Sequence, residues 1–501
     1  MPSHPHTKSA RANVCLILEG TYPYVAGGVS SWVHELIREQ SHLTFSLVTL
    51  VPPNSKLKRQ YEIPKNVVGI HTLFIQDMPK GKSWRFKKKL KQDLYTRLAP
   101  LIENLIVAPE MKDLEEMLAI LKDYREELGT RILLNSEEAW EALCNMYLKL
   151  LAGTKFIDFF WSWRQLASAL YSILIYPMPD ADCYHSLCTG YGGLFLARAH
   201  LDTGKPCLLT EHGIYTNERR IEISSASWLD DQRALSLNVD DVRLDKTLKD
   251  LWLDSFMGYS RLCYESCALI ITLFEGNHLL QIEDGANPEK LRVIPNGVDY
   301  EKFSSVKRDK SHPPTVALIG RVVPIKDVKT FIRAGIILKS RVPDLRVWII
   351  GPTDEDPDYF SECAEMIQNA GVQEVITFTG KVRVDEYLGK IDVIALTSLS
   401  ESQPLVILEA GSAGVPSVAT NVGSCQELIY GRNDEDPPLG DGGIVCSLSS
   451  PIEVATAMEK LLTDPDFYDQ CARTMRERVE RYYNKIQQHQ SYRELYASYL
   501  P

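Results

Sequence analysis

Between residues 315 and 462 the chain alternates short apolar runs with amphipathic ones, a pattern that few folds accommodate. Residues 315–319, 346–350, 375–379, 392–397, 417–420 and 443–446 read as six strands. Helical spacing fills the gaps at 328–340, 358–370, 384–390, 405–413 and 452–462. Short strands separated by helices are the sequence form of a parallel sheet covered on both faces. A looser series precedes this one. Residues 14–18, 44–51, 182–187, 206–211, 268–273 and 292–294 have strand character, and Val29, Trp32, Val33, Leu36 and Ile37 fall at helical spacing. Residues from about 80 to 178 are Leu-rich and Lys/Glu-rich with few strand signals, and read as a helical insertion.

A chain of 501 residues is too long for one ordinary core. The expected division is a first α/β domain over 1–300 that contains the insertion, a second over 301–470, and a tail over 471–501. The tail is charged and aromatic, and reads as one or two surface helices. The segment Pro295-Asn296-Gly297-Val298-Asp299 has turn chemistry and is the expected hinge.

The bulk numbers exclude several classes. Hydrophobic content of 45% and charged content of 24% fit a globular protein. A net charge of −11 argues against a nucleic-acid partner, which needs a basic face. The eleven cysteines form no C-x-x-C pair, and Cys15, Cys207 and Cys446 fall inside apolar elements, so reduced thiols in a cytoplasmic protein are expected. Residues 1–11 are polar and show no secretory h-region. The apolar run 156–176 is interrupted by Asp158 and Arg164 and reads as a buried helix. One strongly basic run, from Lys80 to Lys91, reads as a solvated helix face, with an anionic membrane or an acidic partner as the alternatives.

Chemistry concentrates where strands end, which is where open α/β sheets bind ligands. Gly320 closes one strand, and Arg321 and Lys326 follow it. A planar guanidinium and a compact ammonium can together neutralise a diphosphate without a metal. The stretch from Glu401 to Glu409 opens the next informative helix, with Pro404 in its first turn and the amides of Leu405 and Val406 free to face an anion. Glu401 and Glu409 can accept from sugar hydroxyls at opposite ends of a nucleotide sugar, and Gln403 lies between them. Gly27 and Gly28 precede the first helix and permit close backbone approach to a ligand. His212 ends a strand, and Arg219 and Arg220 follow as acceptor or phosphate candidates, or as ordinary partners of Glu218 and Glu222. The strings Asp180-Ala-Asp182 and Asp354-Glu-Asp356 lack the convergent oxygens of a metal site, so no metal is expected.

Gly320-Arg321 with Lys326, and Glu401 with Glu409, resemble the signature of the retaining, GT-B-fold glycosyltransferases of family four. The string Glu19-Gly-Thr-Tyr-Pro-Tyr-Val-Ala-Gly-Gly-Val-Ser-Ser-Trp32 and the string from Glu211 to Arg220 resemble the branch that builds the Pel exopolysaccharide. The resemblance implies two Rossmann-like domains facing a cleft, with a tail helix crossing back to the first. It implies a UDP-sugar donor (UDP-glucose or an N-acetylhexosamine relative), a carbohydrate acceptor, membrane-bound polysaccharide synthase subunits as partners, and no cofactor. It places the enzyme in the cytoplasm, peripheral to the inner face of the membrane. By carry-over Arg321 and Lys326 hold the diphosphate, Glu401 the donor hexose and Glu409 the ribose, while Gly28 contacts the donor phosphates and His212 lines the sugar pocket. Gln403-Pro404 departs from the family, where an aromatic or small residue is followed by Gly; Pro404 removes an amide from the sugar site and leaves the donor hexose open. A UDP-sugar epimerase of similar fold and an inert UDP-sugar-binding scaffold subunit remain the rival readings.

Overall fold

The computed structural model describes residues 11–82, 88–225, 246–309 and 311–501. The chain divides into two units: residues 1–272, 278–292 and 492–501 form the first, and residues 273–277 and 293–491 the second.

The first unit is a seven-stranded parallel sheet in the order β3-β2-β1-β4-β5-β6-β7. Its strands are β1 (Ala12–Glu19), β2 (Phe45–Val51), β3 (Val67–Phe74), β4 (Ala181–Ser186), β5 (Cys207–Glu211), β6 (Leu269–Thr272) and β7 (Leu291–Val293). The strands β2, β4 and β5 are buried throughout, as strands covered on both faces must be. The periodicity over 29–39 is a helix, Gly28–Glu39, whose Val33, Leu36 and Ile37 face the core.

Strand β3 is the element that the sequence reading lacks. It is an edge strand, only half-buried, and Gly69 and His71 break its apolar alternation. Its recognition depends on pairing with β2 from Phe45↔Val67 to Val51↔Phe74.

Between β3 and β4 the described residues form the helices Lys88–Val107, Met111–Lys122, Thr130–Leu133, Glu137–Leu150 and Phe156–Ile175, with no strand among them. Ser136 caps the fourth by accepting from the amide of Ala139, with Glu137 and Glu138 in its first turn. Residues of these helices join the same apolar cluster as β1 and β2, so the insertion is part of the core. Among the described residues no helix is long and apolar enough to cross a membrane. Residues 1–10 of the polar N-terminus and 83–87 of the basic run lie outside the described residues.

The second unit repeats the winding with six parallel strands in the order β10-β9-β8-β11-β12-β13. They are β8 (Thr315–Ile319), β9 (Arg346–Ile350), β10 (Ile376–Gly380), β11 (Val393–Leu396), β12 (Ser417–Thr420) and β13 (Gly443–Cys446). The expected fold class, two doubly wound Rossmann-like sheets with a helical insertion in the first, is what the chain adopts.

The tail is two helices, as its sequence suggests, each with one buried face. It forms Pro465–Tyr482 and Lys485–Tyr499. Met475 and Val479 pack with Ile407, Leu408 and Leu428 in the second unit. Tyr492 and Tyr496 are buried in the first. Not every charge of the tail is solvated: Arg478 pairs with Glu435, their side chains 0% and 3% exposed. All eleven cysteines are free thiols, and nine of them are buried.

Candidate functional site

In both sheets the strand order reverses once, between β1 and β4 and between β8 and β11. Neighbouring loops leave such a switch point in opposite directions and open a crevice at the carboxyl ends of the strands. In the second unit β8 and β11 pair directly, Val316 with Val393 and Ala317 with Ile394. The two motifs that lie some eighty residues apart in sequence, Arg321/Lys326 and Glu401/Glu409, therefore follow adjacent strands.

Backbone bonds lock the two loops together. Leu399 donates to the carbonyl of Ile325 at 2.8 Å. Thr397 Oγ1 donates to the carbonyls of Lys326 and Asp327 at 3.1 and 3.0 Å. Lys326 Nζ and Glu401 Oε1 form an ion pair, their side chains 22% and 13% exposed. Ser398 Oγ donates to the same Glu401 oxygen at 2.6 Å. Asp327 adopts a left-handed conformation, φ 43°, and caps the helix Val328–Lys339 through the amide of Thr330. Gly423 (φ +51°) approaches this loop so closely that a Cβ would lie 2.3 Å from the carbonyl oxygens of Glu401 and Ser402.

Pro404 occupies the N-cap of the helix Leu405–Ser412, one position before the first turn, and no side chain caps that helix. The amides of Leu405 and Val406 open it, with the helix dipole behind them. Gln403 is buried and accepts from the amide of Asn296 at 2.7 Å. Its Nε2, with Ser402 Oγ and Ser424 Oγ, is buried without a partner among the described residues. Buried polar atoms are normally satisfied, so these three, on the two loops that follow β11 and β12, leave hydrogen-bonding capacity open beside the site. Glu409 lies one turn into the helix, half-buried, and burial pushes its carboxyl up to about 7, opposed by Lys302. Arg321 is half-exposed and pairs with Glu355, so the string Asp354-Glu-Asp356 supplies the partner of a site residue.

The remaining candidates belong to the first unit, each described within it. Gly27 and Gly28 begin the helix after β1, and a Cβ at either would meet nothing within 4 Å. The protein's own packing does not demand glycine at these two positions. His212 follows β5, and the ring of Trp32 meets it edge-on at 4.6 Å between centroids. Burial lowers His212 to about 4, and its Nε2 is buried without a partner among the described residues. His212 is thus a neutral imidazole with one nitrogen uncommitted.

Arg219 lies over the rings of Tyr215 and Phe256 and pairs with Glu222 at 2.6 Å. Arg220 donates to Asn217 and faces Asp284 at 3.6 Å. Both arginines make local ion pairs.

Two acids of this unit escaped the sequence reading. Glu19, at the end of β1, accepts from the amide of Gly192, the thiol of Cys188 and the hydroxyl of Tyr215. Glu211, next to His212, accepts from Tyr264 and Gln281 and is pushed up to about 7 by burial. The available signals were position, since both end strands, and their place at the head of the two strings that carry the family resemblance. Among the described residues no group of His, Cys, Asp and Glu has the arrangement of a metal site.

The chain belongs to the family described as a domain of unknown function, DUF3492, whose model matches residues 12–289. Residues 313–464 match the model of the group 1 glycosyl transferases. The D-inositol 3-phosphate glycosyltransferase of Paenarthrobacter aurescens (strain TC1) is 32% identical over 193 residues, 36% of this chain and 45% of that protein. That of Rhodococcus opacus (strain B4) is 27% identical over 223 residues, 42% of this chain and 48% of the relative. The chain spans about half the length of the curated relatives it matches. In fold it is similar to Anabaena Alr3699/HepE, solved in complex with UDP, with a TM-score of 0.59 at 13% identity over 97% of this chain and 100% of that one. Sucrose-phosphate synthase of Thermosynechococcus elongatus aligns with a TM-score of 0.57 at 15% identity over 97% and 100% of the two chains. The fold is GT-B, and the stretch of the second unit that matches the group 1 glycosyl transferases, residues 313–464, holds all six of its strands.

Proposed function

We propose that the chain is a retaining, metal-independent hexosyltransferase. Its donor is a UDP-sugar, UDP-glucose or a UDP-N-acetylhexosamine, and its acceptor a growing exopolysaccharide of the Pel type or a lipid-linked precursor. The observation that carries this reading is the Lys326–Glu401 pair, fixed at the carboxyl ends of β8 and β11 where the sheet order reverses. A cation and a carboxylate held against each other at a switch point suit the two halves of a sugar diphosphate. The match of residues 313–464 to group 1 glycosyl transferases and the UDP in the similar Anabaena structure support the donor class.

In this reading Arg321 and Lys326 face the diphosphate and stabilise the charge that grows on departing UDP. The amides of Leu405 and Val406 add the positive end of a short helix. Glu401 accepts from hexose hydroxyls, and Glu409 from the ribose. His212, neutral and with Nε2 uncommitted, hydrogen-bonds a sugar hydroxyl. The acceptor hydroxyl attacks the anomeric carbon from the face that the phosphate leaves, its proton passes to the departing phosphate oxygen, and configuration is kept.

Titration calorimetry against UDP-, GDP- and ADP-sugars in EDTA tests the donor and the metal together. Binding of UDP-sugars alone, weakened about 10- to 100-fold by Arg321→Ala or Lys326→Ala, is expected from the loss of one charge-assisted contact. Unchanged affinity in both variants, or binding that needs magnesium, overturns the reading.

A further inference from the structure

The helical insertion carries an apolar surface that the transfer reaction does not use. Trp140, on the helix Glu137–Leu150, is 49% exposed, and Ile157 and Trp161, on the helix Phe156–Ile175, are 56% and 54% exposed. They form one patch. The Trp140 ring lies 5.7 Å from that of Phe156 and 6.1 Å from Phe160, whose ring lies 5.0 Å from Trp161. Ile157 and Trp161 are four residues apart and share a helix face. Phe156 and Phe160 reach down to the core, so the patch has a rigid base. Two half-exposed tryptophans flanking the Phe160 ring leave more apolar surface open than a helix pair needs unless something else covers them.

Charge says what that is. In a chain of net −11 the lysine-rich run is the one strongly basic segment, and its described part opens the helix Lys88–Val107. Lys88 reaches Glu137 at 3.4 Å, which sets the start of that helix beside the first turn of the helix that carries Trp140. Lys88 and Lys89 are exposed, and Arg164 lies three residues beyond Trp161. Three exposed carboxylates share the edge: Glu137, paired with Lys88, Glu141 and Asp158. An acidic protein is repelled by an anionic leaflet except where it gathers positive charge. Here the positive charge borders the aromatic patch. Tryptophan favours the headgroup zone of a bilayer, and lysine and arginine favour its anionic surface.

We propose that Trp140, Ile157 and Trp161, with the lysines that open the helix Lys88–Val107, form a docking surface for an anionic lipid bilayer. The surface holds the protein on the membrane peripherally, by aromatic insertion at headgroup depth and by lysine contact with acidic lipids.

Co-flotation of the full chain with vesicles tests this. Binding is expected to phosphatidylcholine vesicles holding about 30 mol% phosphatidylglycerol, to be absent with phosphatidylcholine alone, and to fade as salt rises. Trp140→Ser with Trp161→Ser, and separately Lys88→Gln with Lys89→Gln, should each lower vesicle binding about tenfold. Both should leave the protein folded and its UDP affinity unchanged, because all four side chains are half-exposed or more. No flotation with the acidic vesicles, or flotation indifferent to both double variants, overturns the proposal. So does binding to native membranes that protease treatment abolishes while the pure acidic vesicles stay bare, which assigns the surface to a protein. Self-association through the tryptophans without vesicle binding assigns it to a second copy and overturns the proposal as well.

Discussion

Glu409 and Arg478 show how differently two helices of the second unit treat a charge. Glu409 is held near neutrality, its carboxyl at about 7 because burial outweighs Lys302. Ribose hydroxyls donate, and an ionised carboxylate is the better acceptor, so donor binding should favour the deprotonated form. UDP is therefore expected to bind more tightly at pH 8 than at pH 6, with protons released on binding. Calorimetry in buffers of different ionisation enthalpy reads this, and Glu409→Gln should remove the part of the pH slope that UDP's own titration does not explain. The sign follows from linkage: a folded-state pKa raised above the usual 4.5 costs stability as pH climbs through the window from 4.5 to about 7. Arg478 is the opposite case. It donates to both oxygens of Glu435, at 2.7 and 3.0 Å, and to the carbonyls of Ile429 and Gly440. Arg478→Met leaves the buried Glu435 charge without its guanidinium, with the amide of Leu439 still donating to it, and should destabilise the second unit by about 3–5 kcal/mol. Adding Glu435→Gln should recover part of that loss, which a double-mutant cycle in denaturant measures.

Among the elements, the turn after β8 decides the site. Lys326 ends a 3₁₀ turn, Pro324–Lys326, and Asp327 reverses the chain in the left-handed region before capping the next helix. Asp327→Ala removes the cap and puts an alanine where its Cβ is strained, a loss of about 2–3 kcal/mol. Asp327→Asn keeps both functions and should stay near wild type, with Asp327→Gly between them. Thermal melts of the three variants give the order, and a stability of the alanine variant equal to wild type contradicts the geometry. Because Thr397 grips the carbonyls of Lys326 and Asp327, the alanine variant should also loosen donor binding.

For the whole molecule the tail is the test. Thr210 Oγ1 and Tyr492 lie 3.0 Å apart, His185 Nε2 reaches Thr210 at 2.9 Å, and His185 Nδ1 reaches Tyr496 at 2.8 Å. Burial holds His185 neutral, its pKa lowered to about 3. Tyr496→Phe leaves one imidazole nitrogen unpaired and should lose about 1–3 kcal/mol. Deleting Tyr492–Pro501 strips two buried aromatics from the first unit and should cost more than the point change. Calorimetry should show the transition of the first unit shifted down and that of the second little moved; a uniform shift of both contradicts the assignment.

Periodicity and strand-end chemistry were legible from the chain alone. The six strands of the second sheet, the helical insertion and the run from Glu401 to Glu409 could be read because burial on both faces writes itself as continuous apolar runs. Edge strand β3 could not, since half its surface is solvated and its identity rests on a neighbour. Nor could the partners of the site: that Glu355 meets Arg321, that Lys326 meets Glu401, or that Gly423 presses on the Glu401 loop. These contacts join residues far apart in sequence, and only the order of strands in a sheet brings them together. Local sequence determines which elements form and which face of each is apolar. Which charges end up opposed, buried or left uncommitted is decided by strand pairing, because electrostatic and hydrogen-bond energies depend on distances that no single segment contains.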